Sequence, residues 1–191
     1  GTTRDAVDTR FEFDGIPITL IDTAGIRRRG KVEPGVEKYS VVRSMRAIER
    51  CDVALLIIDA VEGISAQDMH IAGYIKEEHK SAVVIINKWD SIEKDNSTMQ
   101  TFSDRLRQEL NFMDYVPFLF TSAKSGQRVN QVLPLALRVQ EERLARISTG
   151  ALNRILQKAQ GLFMPVSRTG SGIKLYYGTQ VRSDPPTFLI Y

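Results

Sequence analysis

Apolar residues fall into short runs closed by polar residues or glycine, and these runs alternate with segments of helical period. Ile18-Thr19-Leu20-Ile21 ends at Asp22 and follows a weaker run that begins at Thr9. The two predict strands joined at Asp14-Gly15, a dipeptide suited to a tight hairpin turn. Val53-Ala54-Leu55-Leu56-Ile57-Ile58-Asp59 and Ala82-Val83-Val84-Ile85-Ile86 are apolar at successive positions, so both faces of each strand are expected to be buried. Val116-Pro117-Phe118-Leu119-Phe120-Thr121 predicts a further strand. Helices are predicted over Val36 to Arg50, over Ser65 to Lys80, from Ser97 or Ser103 to about Asn111, and from after Thr121 to about Ile147. Doubly buried strands alternating with helices specify an α/β fold, a mostly parallel sheet with helices on both faces.

The pattern changes near Ser148-Thr149-Gly150, residues able to cap a short helix from Ala151 to Gln160 whose apolar face is Leu152, Ile155 and Leu156. Pro165 to Gly172 reads as a polar, glycine-rich loop. Ile173 to Gln180 and Thr187 to Tyr191 then read as strands separated by Asp184-Pro185-Pro186. One helix and two strands are too few for an independent core. The expected organisation is a first domain over residues 1–147 and a second, cut short, over 148–191.

Charge refines this division. The net +3 is uneven: residues from Ser148 onward carry +4, through Arg154, Lys158, Arg168, Lys174 and Arg182 against Asp184, which leaves −1 for residues 1–147. A basic tail on a slightly acidic body suits an anionic partner such as RNA, and also a plain solvated face. At 42 % hydrophobic and 26 % charged residues the composition is that of a soluble globular protein. No apolar run is long enough for a membrane span, so no membrane association is expected. Cys51 is the only cysteine, which precludes an internal disulfide and fits a reducing, cytoplasmic setting. No His/Cys cluster has zinc spacing; His70 and His79 read as surface helix residues.

The chemistry lies at strand ends. Asn87-Lys88-Trp89-Asp90 follows the run that ends at Ile86. The Asp90 carboxylate can accept two parallel hydrogen bonds from the N1–H and exocyclic amine of guanine, whereas adenine offers no donor at either matching position. Asn87 can tether neighbouring backbone loops, and the stem of Lys88 can lie over a purine face. The tetrapeptide on its own also fits a solvated turn. Gly1-Thr2-Thr3-Arg4-Asp5 offers a threonine hydroxyl for Mg²⁺, Thr3 first and Thr2 as the fallback, and equally fits a plain loop. Asp22-Thr23-Ala24-Gly25 follows a strand: Asp22 can hold Mg²⁺ through water, and Gly25 lets its backbone N–H approach a γ-phosphate. Thr121-Ser122-Ala123-Lys124 ends the last strand of the first domain, and its small residues allow backbone N–H groups to reach the guanine O6. Each motif is weak alone. Their order on an α/β pattern, at the strand ends where open sheets bind ligands, gives them force.

On these residues the chain resembles a translation-factor-class GTPase of the Der (EngA) family. Further matches are Arg27-Arg28-Arg29-Gly30-Lys31, Val36-Glu37-Lys38-Tyr39-Ser40, Lys174-Leu175-Tyr176-Tyr177-Gly178-Thr179-Gln180 and Pro185-Pro186-Thr187-Phe188. The resemblance covers nearly the whole chain. It implies a P-loop NTPase-type domain, the second GTPase domain of the family, followed by the start of an α+β KH-like domain. It implies GTP or GDP with Mg²⁺ as ligands and a bound potassium ion. It further implies the large ribosomal subunit and its rRNA as partners, together with an N-terminal GTPase domain in cis. The implied site is Thr3, Asp22, Thr23, Ala24, Gly25, Asn87, Lys88, Asp90, Ser122, Ala123 and Lys124, with Thr3 and Asp22 on the metal.

No GxxxxGK[ST] phosphate loop occurs in these residues. In the family that loop and its strand precede Gly1, and the strand sits between those ending at Asp22 and Asp59. Without it two strand edges are expected to stand unpaired. Ile26 follows Gly25 where Ras-like enzymes use a glutamine, and an isoleucine cannot orient water, so no catalytic base is assigned. The Arg27 to Lys31 run would lie in the second switch loop, either signalling to RNA or simply solvated. Thr169-Gly170-Ser171-Gly172 is not an intact GXXG loop, so the KH-like unit fits a protein partner as well as RNA. The alternative to a GTPase is a nucleotide-free module that docks on the ribosome or on a protein without turnover.

Overall fold

The apolar run at 82–86 forms the middle strand of a parallel sheet. A computed structural model describes residues 7–22, 42, 44–93, 95, 97–162, 166 and 172–191, and structural statements refer to these. The elements in chain order are β1 (Val7–Phe13), β2 (Ile16–Asp22), helical residues 44–50 (α1), β3 (Val53–Asp59), α2 (Ala66–Glu77), β4 (Ser81–Asn87), α3 (Thr98–Glu109), β5 (Phe118–Phe120), α4 (Val132–Leu144), α5 (Thr149–Leu162), β6 (Gly178–Arg182) and β7 (Thr187–Ile190). Residues 1–137 and 138–191 form separate units, with the division falling inside α4.

In the first unit β3, β4 and β5 pair in parallel in that order. Both faces of β4 are covered: Ala82, Val83, Val84, Ile85 and Ile86 are each at most 4 % exposed. Its even-numbered residues join Ala54, Leu56 and Ile58 of β3, Ala72 and Ile75 of α2, and Leu106 of α3 in one core. Burial of this order contributes about 1.5–3 kcal/mol per large side chain, and it fixes where the strand ends lie. β5 is shorter than the predicted Val116 to Thr121 because Pro117 has no N–H for the ladder; its carbonyl still accepts from Val84 N–H at 3.0 Å.

β1 and β2 form a separate antiparallel hairpin, turned through Asp14 (φ 51°) and Gly15 (φ 77°), the left-handed pair that a two-residue turn needs. No described strand bridges β2 and β3. The expected burial of both faces of β3 holds for Ala54, Leu56 and Ile58 but fails for Ile57, which is 60 % exposed. Val53 and Leu55, on the same face as Ile57, are half-buried. The predicted helix over Val36 to Arg50 is seen at 42 and 44–50; its remaining residues lie outside the described ones.

Helix starts follow local side-chain chemistry. Ser65 caps α2 in a reciprocal box with Asp68: Asp68 N–H donates to Ser65 Oγ at 3.2 Å, and Ser65 N–H to Asp68 Oδ2 at 2.8 Å. Ser97 precedes α3 but its hydroxyl caps nothing; Asp95 does so instead, accepting from the N–H groups of Ser97 (2.8 Å) and Thr98 (2.7 Å). Together with both neighbouring hydroxyls these bonds hold the Asp95 carboxyl down to about 2. His70 is an exposed α2 residue, as expected, while His79 lies just past the helix in the left-handed conformation (φ 53°) that ends it.

In the second unit α5 packs on β6, and β6 pairs antiparallel with β7. Asn153 of α5 clamps Gly178: its Oδ1 accepts Gly178 N–H at 2.8 Å and its Nδ2 donates to Gly178 carbonyl at 2.9 Å. Gln180 is 4 % exposed, and its Oε1 accepts Ile147 N–H at 2.7 Å. β6 starts later than the predicted Ile173: paired bonding runs back only to Tyr177, where Tyr191 N–H donates to Tyr177 carbonyl at 2.8 Å, and the Tyr176 N–H turns to the same Tyr191 carbonyl at 2.7 Å. The Thr169-Gly170-Ser171 stretch lies outside the described residues.

Candidate functional site

β4 and β5 deliver two of the predicted motifs to adjacent turns. Thr121 N–H donates to Ile86 carbonyl at 2.8 Å and Trp89 N–H to Thr121 carbonyl at 3.0 Å, so the chains after the two strands stay bonded past the ladder. Asn87 closes the arrangement: its side-chain oxygen accepts the Ala123 backbone N–H at 3.0 Å. Ala60 N–H reaches the Asn87 carbonyl at 2.9 Å, which binds the turn after β3 to the same point.

Lys88 takes a left-handed conformation (φ 61°, ψ 30°) that turns the chain out of β4 into a short 3-10 segment, Trp89–Ser91. A lysine there is strained by about 1 kcal/mol, and the surroundings must hold it. Trp89 does much of that holding. It is 2 % exposed and packs at 5.5 Å on Phe102 and at 4.4 Å on Phe120. Alternation about this anchor leaves Lys88 and Asp90 exposed on either side. In the neighbouring turn Ser122 is fully buried, its N–H donating to Gln127 carbonyl at 3.1 Å and its Oγ accepting Ser125 N–H at 3.1 Å, while Ala123 and Lys124 are exposed.

A contact that the sequence did not signal completes the cluster. Lys88 Nζ lies 2.6 Å from Asp59 Oδ2, at the end of β3. Burial alone would raise the Asp59 carboxyl, but hydrogen bonds from the Lys88 ammonium and from Val61 N–H outweigh it, and the carboxyl sits below its usual range. The Lys88 ammonium is correspondingly held above its ordinary value by the Asp59 hydrogen bond. The available clue was that Asp59 ends one strand where Asn87 ends the next; the two are register partners.

Of the predicted residues, Asn87, Lys88, Asp90, Ser122, Ala123 and Lys124 therefore gather on two bonded turns. Asp22 ends β2, in the separate hairpin, opposite Val7. Thr2, Thr3, Thr23, Ala24, Gly25 and the Arg27 to Lys31 run lie outside the described residues. Among the described residues no group of three His, Cys, Asp or Glu side chains converges as a metal site, and no helix is long and apolar enough to cross a membrane. A concavity of about 20 Å³, lined by Met45, Ile48, His70, Ile71 and Tyr74 among others, contains none of the predicted residues and is no larger than a water.

Residues 1–142 match the family described as elongation factor Tu GTP binding domain, and residues 146–191 match the KH-domain-like family of EngA bacterial GTPase enzymes, C-terminal. GTPase Der of Chloroflexus aggregans is 49 % identical over 192 residues, covering 100 % of this chain and 43 % of the relative. GTPase Der of Caldanaerobacter subterraneus is 49 % identical over 191 residues, covering 100 % and 44 %. The chain thus spans less than half the length of these curated relatives. Among solved structures it is similar to Era in complex with MgGDPNP and nucleotides 1506-1542 of 16S ribosomal RNA, with TM-score 0.62 and 26 % identity over 73 % of this chain and 45 % of that one. A probable GTP-binding protein engB shares the fold, with TM-score 0.57 and 21 % identity over 74 % of this chain and 86 % of that one.

Proposed function

Because this chain belongs to the Der (EngA) family of GTPases, we propose that the protein carrying it binds GTP and GDP, hydrolyses GTP, and acts in assembly of the large ribosomal subunit. The observation that carries the nucleotide reading is the bond from Ala123 N–H to the Asn87 side chain, which joins the Asp90 turn to the Ser122-Ala123-Lys124 turn. Two separate weak motifs become one frame. Asp90 supplies the carboxylate for the guanine edge, the second turn supplies N–H groups for O6, and Lys88 supplies a stem for the purine face.

The donor types at the remaining positions fit the phosphates and Mg²⁺: Thr3 and Asp22 for the metal, and the Thr23, Ala24 and Gly25 backbone for the γ-phosphate. When bound, Mg²⁺ supplies charge neutralisation on the phosphates. Potassium belongs to the same proposal by family resemblance. A ribosomal partner is supported by the Era complex, in which that relative holds ribosomal RNA, and by the basic segment from Ser148 onward. An N-terminal GTPase domain in cis fits relatives more than twice as long. A cytoplasmic location accords with the lone Cys51. Nothing at the site favours a nucleotide-free docking module.

Equilibrium binding of fluorescent GDP, with excess ATP as competitor, tests the reading on this chain and on a version extended N-terminally through a phosphate loop. Binding by the extended protein that ATP fails to compete is the expected result. A folded extended protein that binds no GDP would overturn it.

A further inference from the structure

Lys88 is exposed over 60 % of its side chain, yet its ammonium is not left to solvent: it pairs at 2.6 Å with Asp59, whose side chain is only 23 % exposed. Asp59 is itself fixed. Its Oδ1 accepts Val61 N–H at 2.9 Å and its carbonyl accepts Gly63 N–H at 2.8 Å, so the carboxylate is part of the turn that leaves β3. That turn is bonded to the Asn87 carbonyl through Ala60 N–H at 2.9 Å. A flexible four-carbon stem is thus held at both ends, by its left-handed backbone and by an anchored anion. Ordering such a stem beforehand lowers the entropy lost when it must cover a ligand.

We propose that Asp59 is a positioning residue for guanine nucleotides, holding the Lys88 stem in place to cover the purine face. This inference rests on the guanine reading above. Asp59 touches no nucleotide in this scheme; it acts through Lys88 alone, and so its effect must vanish when the ammonium is removed.

The test is a double-mutant cycle in the full-length protein, read as fluorescent-GDP affinity and dissociation rate. Asp59→Asn keeps an oxygen acceptor for Val61 N–H and removes the charge that holds the ammonium. Asp59→Asn and Lys88→Met should each weaken GDP binding about three- to tenfold, mainly through faster dissociation, as suits a partly exposed ion pair. The double variant should bind no more weakly than either single one, a non-additivity that a merely structural role for Asp59 would not produce. Wild-type affinity in folded Asp59→Asn, or effects that add, would overturn the proposal. Lys88→Met leaves the Asp59 turn intact, so wild-type affinity in that variant overturns it even if Asp59→Asn fails to fold. Asp90→Asn separates the two levels. If it changes base preference while Asp59→Asn binds normally, only the positioning role falls; if the unmodified protein binds no GDP, both fall.

Discussion

The side-chain oxygen of Asn87 accepts the Ala123 backbone N–H at 3.0 Å, across 36 residues of sequence. This bond holds the turn after β5 at a set distance from the turn after β4. Asn87→Ala removes the acceptor and leaves the Ala123 N–H without it. The expected cost is about 1 kcal/mol of stability, since a lost neutral hydrogen bond is worth roughly that, together with about tenfold weaker GDP binding as the second turn loosens. Urea unfolding and fluorescent-GDP titration of the full-length protein measure the two effects. Unchanged GDP affinity would show that the Ala123 turn takes no part in base binding.

Trp89 anchors the same turn from beneath. At 2 % exposure, packed edge-on against Phe102 and tilted against Phe120, its replacement by alanine should destabilise the first unit by about 3–5 kcal/mol. Trp89→Phe should recover a large part of this. It is the only tryptophan in the chain, so its emission reports on this turn alone in the parent, while the variants are followed by circular dichroism. A cost below about 1 kcal/mol for the alanine variant would mean that the turn is held mainly by its backbone bonds.

Much of this was legible from pattern alone. β3 and β4 were readable because a parallel strand covered on both sides is apolar at every position, and the hairpin because Asp14-Gly15 suits left-handed turn geometry. Asn87 was readable as a tether between loops, and its side-chain oxygen accepts the Ala123 N–H; Lys88 and Asp90 were singled out because their chemistry suits a purine face and a guanine edge. Asp59 was not, because a carboxylate ending a strand is common and its partner, Lys88, lies just past the end of another strand. Nor was the exposure of Ile57: it depends on what packs on that face of β3, which an apolar run does not record. The cap of α3 was missed for a related reason. Ser97 has the favoured side chain, but Asp95, two residues earlier, accepts the N–H groups of Ser97 and Thr98 and, as an anion, accepts strongly.

That cap gives a pH signature. The Asp95 carboxyl is lowered from 3.8 to about 2 by bonds from Thr98 and Ser97. A depressed folded value means that the stabilisation is fully present above the unfolded value, near pH 4, and is lost as pH falls through the folded value, near pH 2. Asp95→Ala should therefore lower stability at neutral pH, and the gap between variant and parent should close between about pH 4 and pH 2. Chemical denaturation across that range checks it. A gap that stays constant would show that the charge on Asp95 is not what caps α3.

In the second unit, Asn153 meets both backbone groups of Gly178. An added Cβ at Gly178 would stand 2.5 Å from Leu156 Cδ1 and 3.4 Å from Leu152 Cδ2, so the Leu156 side chain would have to shift. The close approach of α5 to β6 thus suits the glycine, and the amide clamp satisfies the backbone that the approach buries. Asn153→Ala should cost about 2 kcal/mol, near the upper range for leaving buried polar groups unpaired. Asn153→Asp keeps the acceptor for Gly178 N–H but sets a carboxylate oxygen against the Gly178 and Thr149 carbonyls, so at neutral pH it should cost at least as much. Thermal unfolding of the three proteins would show the order, and an alanine variant as stable as the parent would remove the clamp from any structural role.

On the guanine reading proposed above, Asp90 decides the base. Guanine presents an N1–H and a 2-amino group, two donors facing one carboxylate. Xanthine keeps N1–H but has a carbonyl at position 2, which a carboxylate repels and an amide N–H can meet. Asp90→Asn should therefore weaken GDP binding by about a hundredfold or more, since it places an amide N–H against the 2-amino group, and should strengthen binding of xanthosine diphosphate in the same protein. Competition titrations with both diphosphates measure the exchange of preference. Equal loss of both would mean that Asp90 supports the turn instead of reading the base, and retention of GDP binding would place the guanine contact elsewhere on the chain.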